Sequence, residues 1–112
     1  MTIEELIAFV ETRCDVPPGS IRGRDRHQSV ARARQIAAWL IRLHSNPRRS
    51  FPEIGRLLGR DHTTIMAACN SVLRRRRTDL RFLRFTDSLF EEAAVAVGVI
   101  RVRVQDDAAR VA

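Results

Sequence analysis

Apolar residues recur every three or four positions in five segments of the chain, and residues that start or stop helices lie between these segments. Such spacing places the apolar side chains of one segment along one face of an α-helix. A chain of 112 residues is long enough to bury these faces against one another in one modest core. The pattern therefore predicts an all-α fold, a compact helical domain with a short C-terminal tail.

The first two predicted helices are separated by a basic loop. Thr2 lies three residues before a glutamate, which is the spacing of a capping box, and Val16-Pro17-Pro18-Gly19 ends the helix that follows. Residues 20–28 form the loop and carry three arginines. Ser29 is the expected N-cap of the second helix, which we expect to end at Asn46-Pro47.

The third and fourth predicted helices are joined by a very short turn. Ser50 stands in a cap-like position before Phe51-Pro52, and proline is favoured in the first turn of a helix. Gly59 suits a C-cap, and Asp61 can cap the helix that follows. Two helices separated by so short a turn form the arrangement of a helix-turn-helix, whose second helix presents its N-terminal residues to the DNA major groove.

The last helix is expected from about Asp79 to Ala94. Its predicted core residues are Leu80, Phe82, Leu83, Leu89 and Phe90. We expect residues 1–94 to form the domain and residues 95–112 to form a tail rich in valine and arginine. Its β-branched residues leave open whether the tail is a strand or a disordered segment.

Positive charge is concentrated in the middle of the chain. All 20 basic residues are arginine, and residues 13–77 carry a net charge of +11 within a total of +7. A genome rich in G and C would also favour arginine, but it would not explain this clustering. The cluster is typical of a surface that binds a polyanion, and arginine can grip both guanine edges and phosphates.

Several other functional classes find no support in the sequence. Cys14 and Cys69 are too far apart for zinc-site spacing or a disulfide framework, so we expect no metal and no cofactor. There is no legible nucleophile–base pair, which argues against an enzyme and a small-molecule substrate. Acidic residues near the N-terminus and the lack of a long apolar run argue against secretion and membrane binding, which favours a cytoplasmic, nucleoid-associated protein.

The run PEIGRLLGRDHTTIMAACNSV, preceded by SVARARQIAAWL, resembles the C-terminal DNA-binding domain (domain IV) of the bacterial replication initiator DnaA. The block RDHTT is a highly specific signature of that family, and the resemblance extends from about Thr2 to Ala94. It implies a helical, Trp-repressor-like fold that binds the DnaA box on double-stranded DNA. The helix-turn-helix would enter the major groove, and the basic loop would reach the minor groove.

The resemblance also implies roles for individual residues. The implied base-contacting residues are Arg26, Arg34, Gln35, Asp61, His62 and Thr63, with Arg26 in the minor groove. The residues implied to lie on or near the phosphate backbone are Arg42, Phe51, Pro52, Arg60 and Thr64. The chain departs from the family pattern at Ala33, where proline is usual, and at Leu58-Gly59, where two glycines are usual. These departures would change the tilt of the recognition helix.

Two functions remain in view. The first is sequence-specific binding at DnaA-box-like sites, which would regulate replication initiation or transcription without ATPase activity, since the sequence holds no GxxxxGK[ST] phosphate loop and no lysine. The second is an adaptor that binds another protein, such as the replication initiator itself, and the valine-rich tail is the feature that would serve this contact.

Overall fold

The computed structural model describes residues 1–45 and 47–96, and it confirms the predicted all-α fold. No strand occurs in this part of the chain. Its five helices are α1 (Ile3–Arg13), α2 (Gln28–His44), α3 (Phe51–Leu58), α4 (His62–Thr78) and α5 (Leu80–Ala96). The proposed tail at 95–112 is described only at its first two residues, which continue α5, and residues 97–112 lie outside the described residues.

Helix α2 is the centre of the domain and contacts the four other helices. The six consecutive residues from Ile36 to Ile41, among them Trp39, are all buried. Because successive residues of a helix point about 100° apart, a run of six buried residues requires neighbours on every side of the helix. The other four helices therefore pack around α2, and their outer faces remain available for function.

The helix ends follow the capping residues predicted from the sequence, with one exception. Thr2, Ser50 and Asp61 each accept a hydrogen bond from a backbone N–H in the first turn of their helices, and Ser50 completes a capping box. Gly59 ends α3 in the left-handed conformation, with φ of 66°. The prediction of Ser29 as an N-cap was wrong, because α2 already begins at Gln28.

The apolar stripe of α5 differs in part from the predicted one. Phe82 and Leu89 are buried as expected, whereas Leu80 is 58% exposed and does not belong to the core. Thr86 lies fully buried in the same stripe, where its hydroxyl donates to the carbonyl of Phe82 (2.8 Å). Leu80 is the first residue of α5, and a stripe that contains positions 82, 86 and 89 leaves it on the solvent side.

Two of the four consecutive arginines at the end of α4 hold α5 in place. Arg76 donates to the hydroxyl of Thr86 (2.5 Å) and to the carboxylate of Asp87 (2.8 Å). Arg75 lies over the ring of Phe82, 4.2 Å from its centroid. Part of the positive charge of residues 13–77 therefore serves packing within the domain.

The turn of the helix-turn-helix passes very close to Gly55 in α3. A Cβ atom at Gly55 would lie 2.4 Å from the carbonyl oxygen of Arg60, closer than two such atoms can approach. The Arg60 N–H donates to the carbonyl of Gly55 (2.8 Å), which fixes the approach. The direction in which α4 leaves the turn thus depends on the missing side chain at Gly55.

We expect Gly55→Ala to destabilise the domain by about 1 to 3 kcal/mol, because a backbone carbonyl cannot move aside cheaply. In an open helix the same change would stabilise by roughly 1 kcal/mol, so the sign of the effect is informative. Thermal unfolding followed by circular dichroism measures it. Gly23→Ala is the matched control, since its Cβ would meet nothing closer than 3.4 Å. A Gly55→Ala protein as stable as the wild type would contradict the close approach.

Candidate nucleic-acid interface

The N-terminal turn of α4 presents a row of exposed polar side chains. Asp61, His62, Thr63 and Thr64 are all exposed, whereas Ile65 is the first buried residue of the helix. The Asp61 carboxylate accepts hydrogen bonds from the backbone N–H of Thr63 (3.1 Å) and from its hydroxyl. These bonds hold the pKa of Asp61 below its ordinary value, because they favour the ionised carboxylate. The cap therefore fixes the polar row that the sequence predicts to read bases.

The outward face of α4 changes in character along the helix. Thr63, Ala67, Asn70 and Arg74 recur at helical spacing and are exposed. Small and neutral side chains near the N-terminus let a helix approach a groove closely, and the arginine lies roughly 16 Å further along the axis. This face has the shape and charge to enter a groove at one end and to lie against phosphates at the other.

A second exposed element, the loop between α1 and α2, carries three arginines. The side chain of Arg22 has partners within the protein, because its Nε donates to the carbonyl of Leu57 (2.9 Å) and its Nη2 lies 3.5 Å from the carboxylate of Glu4. Arg24 and Arg26 are exposed, and neither guanidinium has a hydrogen-bond or ion-pair partner among residues 1–45 and 47–96. Arg24 thus joins the predicted Arg26 as an arginine that is free to bind an external anion.

The loop is anchored in the core by Ile21, which is completely buried. The Ile21 N–H donates to the carboxylate of Glu11 (3.1 Å), a residue of α1 that is itself only 5% exposed. Sequence reasoning missed Glu11, although a signal exists. Glu11 lies four residues after the buried Ile7, which places a carboxylate on the apolar face of α1.

Two arginines predicted to contact DNA turn instead toward this loop. Arg34 Nε donates to the carbonyl of Ile21 (2.7 Å), and its Nη2 donates to three further loop carbonyls at 3.4–3.5 Å. Arg60 Nη2 donates to the carbonyl of Gly23 (2.6 Å). Burial lowers the pKa of Arg34, and the positive charge of Arg60 adds to that shift. The predicted DNA contacts of both residues stay predictions.

The other predicted residues lie at three places on the surface. Arg42 stacks on Phe51, 4.0 Å from the ring centroid, and donates to the carbonyl of Arg49 (2.8 Å). Pro52 is exposed at the start of α3, where a shallow groove connects it with Arg60 and His62. Gln35 is half-buried on α2, next to Arg34 in the sequence.

The structure brings most of these residues into one connected surface. The Arg60–Gly23 and Arg22–Leu57 hydrogen bonds join the basic loop to α3 and to the turn before α4. The stack of Arg42 on Phe51 stands apart from these bonds, at the other end of α3. The arrangement places two exposed elements of different shape, a helix end and an arginine loop, on one support.

Other kinds of site are not found in the described ranges. No group of three His, Cys, Asp or Glu side chains there could hold a metal ion. None of the described helices has the length and hydropathy needed to cross a bilayer.

The chain matches the family model of the bacterial DnaA protein helix-turn-helix over residues 3–72. The chromosomal replication initiator protein DnaA of Deinococcus radiodurans is 34% identical over 101 residues, which make up 90% of this chain and 19% of that protein. DnaA of Methylobacillus flagellatus is 35% identical over 102 residues, or 90% of this chain and 20% of that protein. DnaA of Deinococcus deserti is 40% identical over 68 residues, or 61% of this chain and 14% of that protein.

This chain therefore spans a fifth or less of the length of these relatives. The family match includes α3, the turn, and α4 as far as Val72. It therefore contains the polar row at the start of α4. The match covers more than half of the chain, and the structure has the helices that it requires. The chain belongs to the family of bacterial DnaA C-terminal helix-turn-helix domains.

Proposed function

We propose that this chain binds double-stranded DNA sequence-specifically at DnaA-box-like sites and regulates replication initiation or transcription without ATPase activity. One observation supports this function above the others. The exposed polar row of α4 is joined by the Arg60–Gly23 hydrogen bond to the loop that carries Arg24 and Arg26, which have no partner among the described residues. A helix end suits the major groove and an arginine on a loop suits the minor groove, so one domain can read both grooves at once.

In this proposal the start of α4 reads base edges in the major groove. His62 offers a ring nitrogen, and Thr63 offers a methyl group to thymine. The oxygen of Asp61 that is not occupied by Thr63 can accept from a cytosine amino group. Arg26 enters the minor groove, and Gln35 approaches a base from α2. The Nε and Nη2 atoms of Arg34 already donate to loop carbonyls, so among its guanidinium nitrogens only Nη1, which has no acceptor in residues 1–45 and 47–96, could contact DNA while the loop bonds stay in place.

Contacts to the phosphate backbone would set the position of the domain on the duplex. Arg42 and Phe51 form a stacked pair beside Pro52 at the start of α3, and in this proposal the guanidinium of Arg42 provides the positive charge for a phosphate. Thr64 is exposed on the first turn of α4 and can donate its hydroxyl to a phosphate. Arg60 lies between these groups and the loop.

A second candidate function is an adaptor that modulates the replication initiator through a protein contact. Met66 and Leu73, both on α4, are 41% and 43% exposed. They lie seven residues apart, which places them on one side of the helix. A partner protein could cover this pair without any use of the base-reading row.

The two functions are separated by binding to a duplex with one DnaA box and to a scrambled duplex of the same length and composition, at one salt concentration. The proposed function requires clear preference for the box. An adaptor would bind both duplexes equally and weakly. A gel shift or fluorescence anisotropy titration gives the ratio of the two affinities, which is the quantity that decides.

The double variant His62→Ala/Thr63→Ala should lose the preference for the box while its melting temperature changes little, because both side chains are exposed. Loss of one good base contact costs about 1 to 3 kcal/mol. Arg77→Ala is the control, since Arg77 is exposed at the far end of α4. It should weaken binding to all duplexes alike and reduce the salt slope by about one. A large fall in melting temperature in the double variant would place these residues in the core instead.

In a DNA-unwinding reaction that depends on full-length DnaA, this chain should inhibit in proportion to its concentration relative to Kd, because it occupies boxes by mass action. The His62→Ala/Thr63→Ala protein should not inhibit. The adaptor function makes the opposite prediction. Stimulation by the wild-type chain, or inhibition that survives the double variant, would mean that a protein contact carries the effect.

A further inference from the structure

The inner side of the basic loop is lined with backbone carbonyls that two arginines satisfy. Arg34 donates to the carbonyls of Ser20, Ile21, Gly23 and Asp25, and Arg60 donates to that of Gly23. Backbone carbonyls that lose contact with water need such partners. A guanidinium carries five N–H donors in a flat fork and can serve several carbonyls at once, which a lysine ammonium on a flexible stem cannot do in the same geometry.

The two arginines come from different parts of the fold. Arg34 belongs to the central helix α2, and Arg60 belongs to the turn between α3 and α4. Their shared acceptor, the carbonyl of Gly23, therefore connects the loop to both the core and the helix-turn-helix. Arg22 adds a third link, since it donates to the carbonyl of Leu57 at the end of α3.

Keeping two like charges at one carbonyl has a cost that the loop dipoles must offset. The Arg60 charge contributes to the lowered pKa of Arg34, and the Asp25 carboxylate opposes this effect. The loop carbonyls and the Asp25 carboxylate are the opposite dipoles and charge that face the two guanidinium groups. Neither arginine is an ordinary solvated side chain.

We propose that Arg34 and Arg60 form a clasp that fixes the loop at residues 20–25, so that Arg34 is a positioning residue for Arg24 and Arg26 and does not itself contact a base. This inference rests on the proposed function, because it describes how the second reading element is held. A loop ordered before binding pays less conformational entropy in the complex. The clasp also sets the distance between the loop arginines and the polar row of α4.

Arg34→Ala tests the clasp first in the absence of DNA. If the clasp holds the loop, the amides of Ile21 and Gly23 should exchange with solvent at least about tenfold faster than in the wild type, as measured by NMR. The amide of Val72, in the buried part of α4, should not change. Removal of an arginine that only contacts DNA would leave the loop amides protected, and that result would overturn the proposal.

A double-mutant cycle then tests the effect on binding to a box duplex. Arg34→Ala is combined with the loop variant Arg24→Ala/Arg26→Ala and, separately, with His62→Ala. We expect Arg34→Ala to weaken binding about tenfold in the wild-type background, to have less than about a twofold effect in the loop variant, and to keep its full effect in His62→Ala. An undiminished effect of Arg34→Ala in the loop variant would mean a direct contact.

Arg34→Lys keeps the charge but not the fork, and it covers the case in which the alanine variant fails to fold. A positioning role predicts that lysine fails to restore loop protection and binding, whereas recovery of both would overturn the clasp.

Duplexes with modified bases show in which groove the affinity is lost in Arg34→Ala. The effect of Arg34→Ala should persist when inosine·C replaces A·T, which alters the major groove alone, and should shrink with 2,6-diaminopurine·T, which adds an amino group to the minor groove.

Failure of the clasp can be told apart from failure of the proposed function. A wild-type chain with no preference for the box would refute the function, whereas the exchange of the loop amides would still decide the clasp. Preference for the box together with unchanged loop exchange in Arg34→Ala would refute the clasp alone.

Discussion

The contact between Gly55 and the carbonyl of Arg60 is the constraint on which the rest of the interface depends. It brings the end of α3 and the start of α4 as close as backbone atoms allow, and so it fixes the direction of the helix that carries His62 and Thr63. It also sets the position from which the Arg60 side chain reaches Gly23 in the loop. The absence of a Cβ atom at Gly55 thus affects both the start of α4 and the basic loop, because the turn at Arg60 connects to each of them.

The sequence predicts the helices well because their signals are local. Capping residues such as Ser50 and Asp61 act within one turn of their own helix, so they can be recognised without knowledge of the tertiary structure. The predictions at Ser29 and Leu80 were wrong because both residues lie at a helix start. Helix α2 begins one residue before Ser29, and Leu80 lies off the stripe formed by Phe82, Thr86 and Leu89.

The candidate site could be predicted only in part. The polar row of α4 follows from a specific motif on a helix whose buried stripe is clear. The side chain of Arg34 could not be placed from sequence, because a long flexible side chain points to whichever acceptors the fold provides, and these come from a loop nine to fourteen residues earlier. The same limit explains why the hydrogen-bond partners of Glu11 and Arg76 were not recognised, although the place of Glu11 on the apolar face of α1 is visible in the sequence. Their roles become visible only when distant segments meet.

The hydrogen bonds that Arg34 and Arg60 make to the loop all go to its backbone carbonyls and not to its side chains. Arg34 and Arg60 bind carbonyl oxygens that every amino acid possesses, whereas Ile21 and Arg22 are anchored by their own side chains. Positions 24 and 26 can therefore accept other residues without loss of the scaffold. The two exposed side chains of such a loop can change while the backbone that presents them stays the same, so that under the proposed function DNA preference would change by substitution at these positions alone.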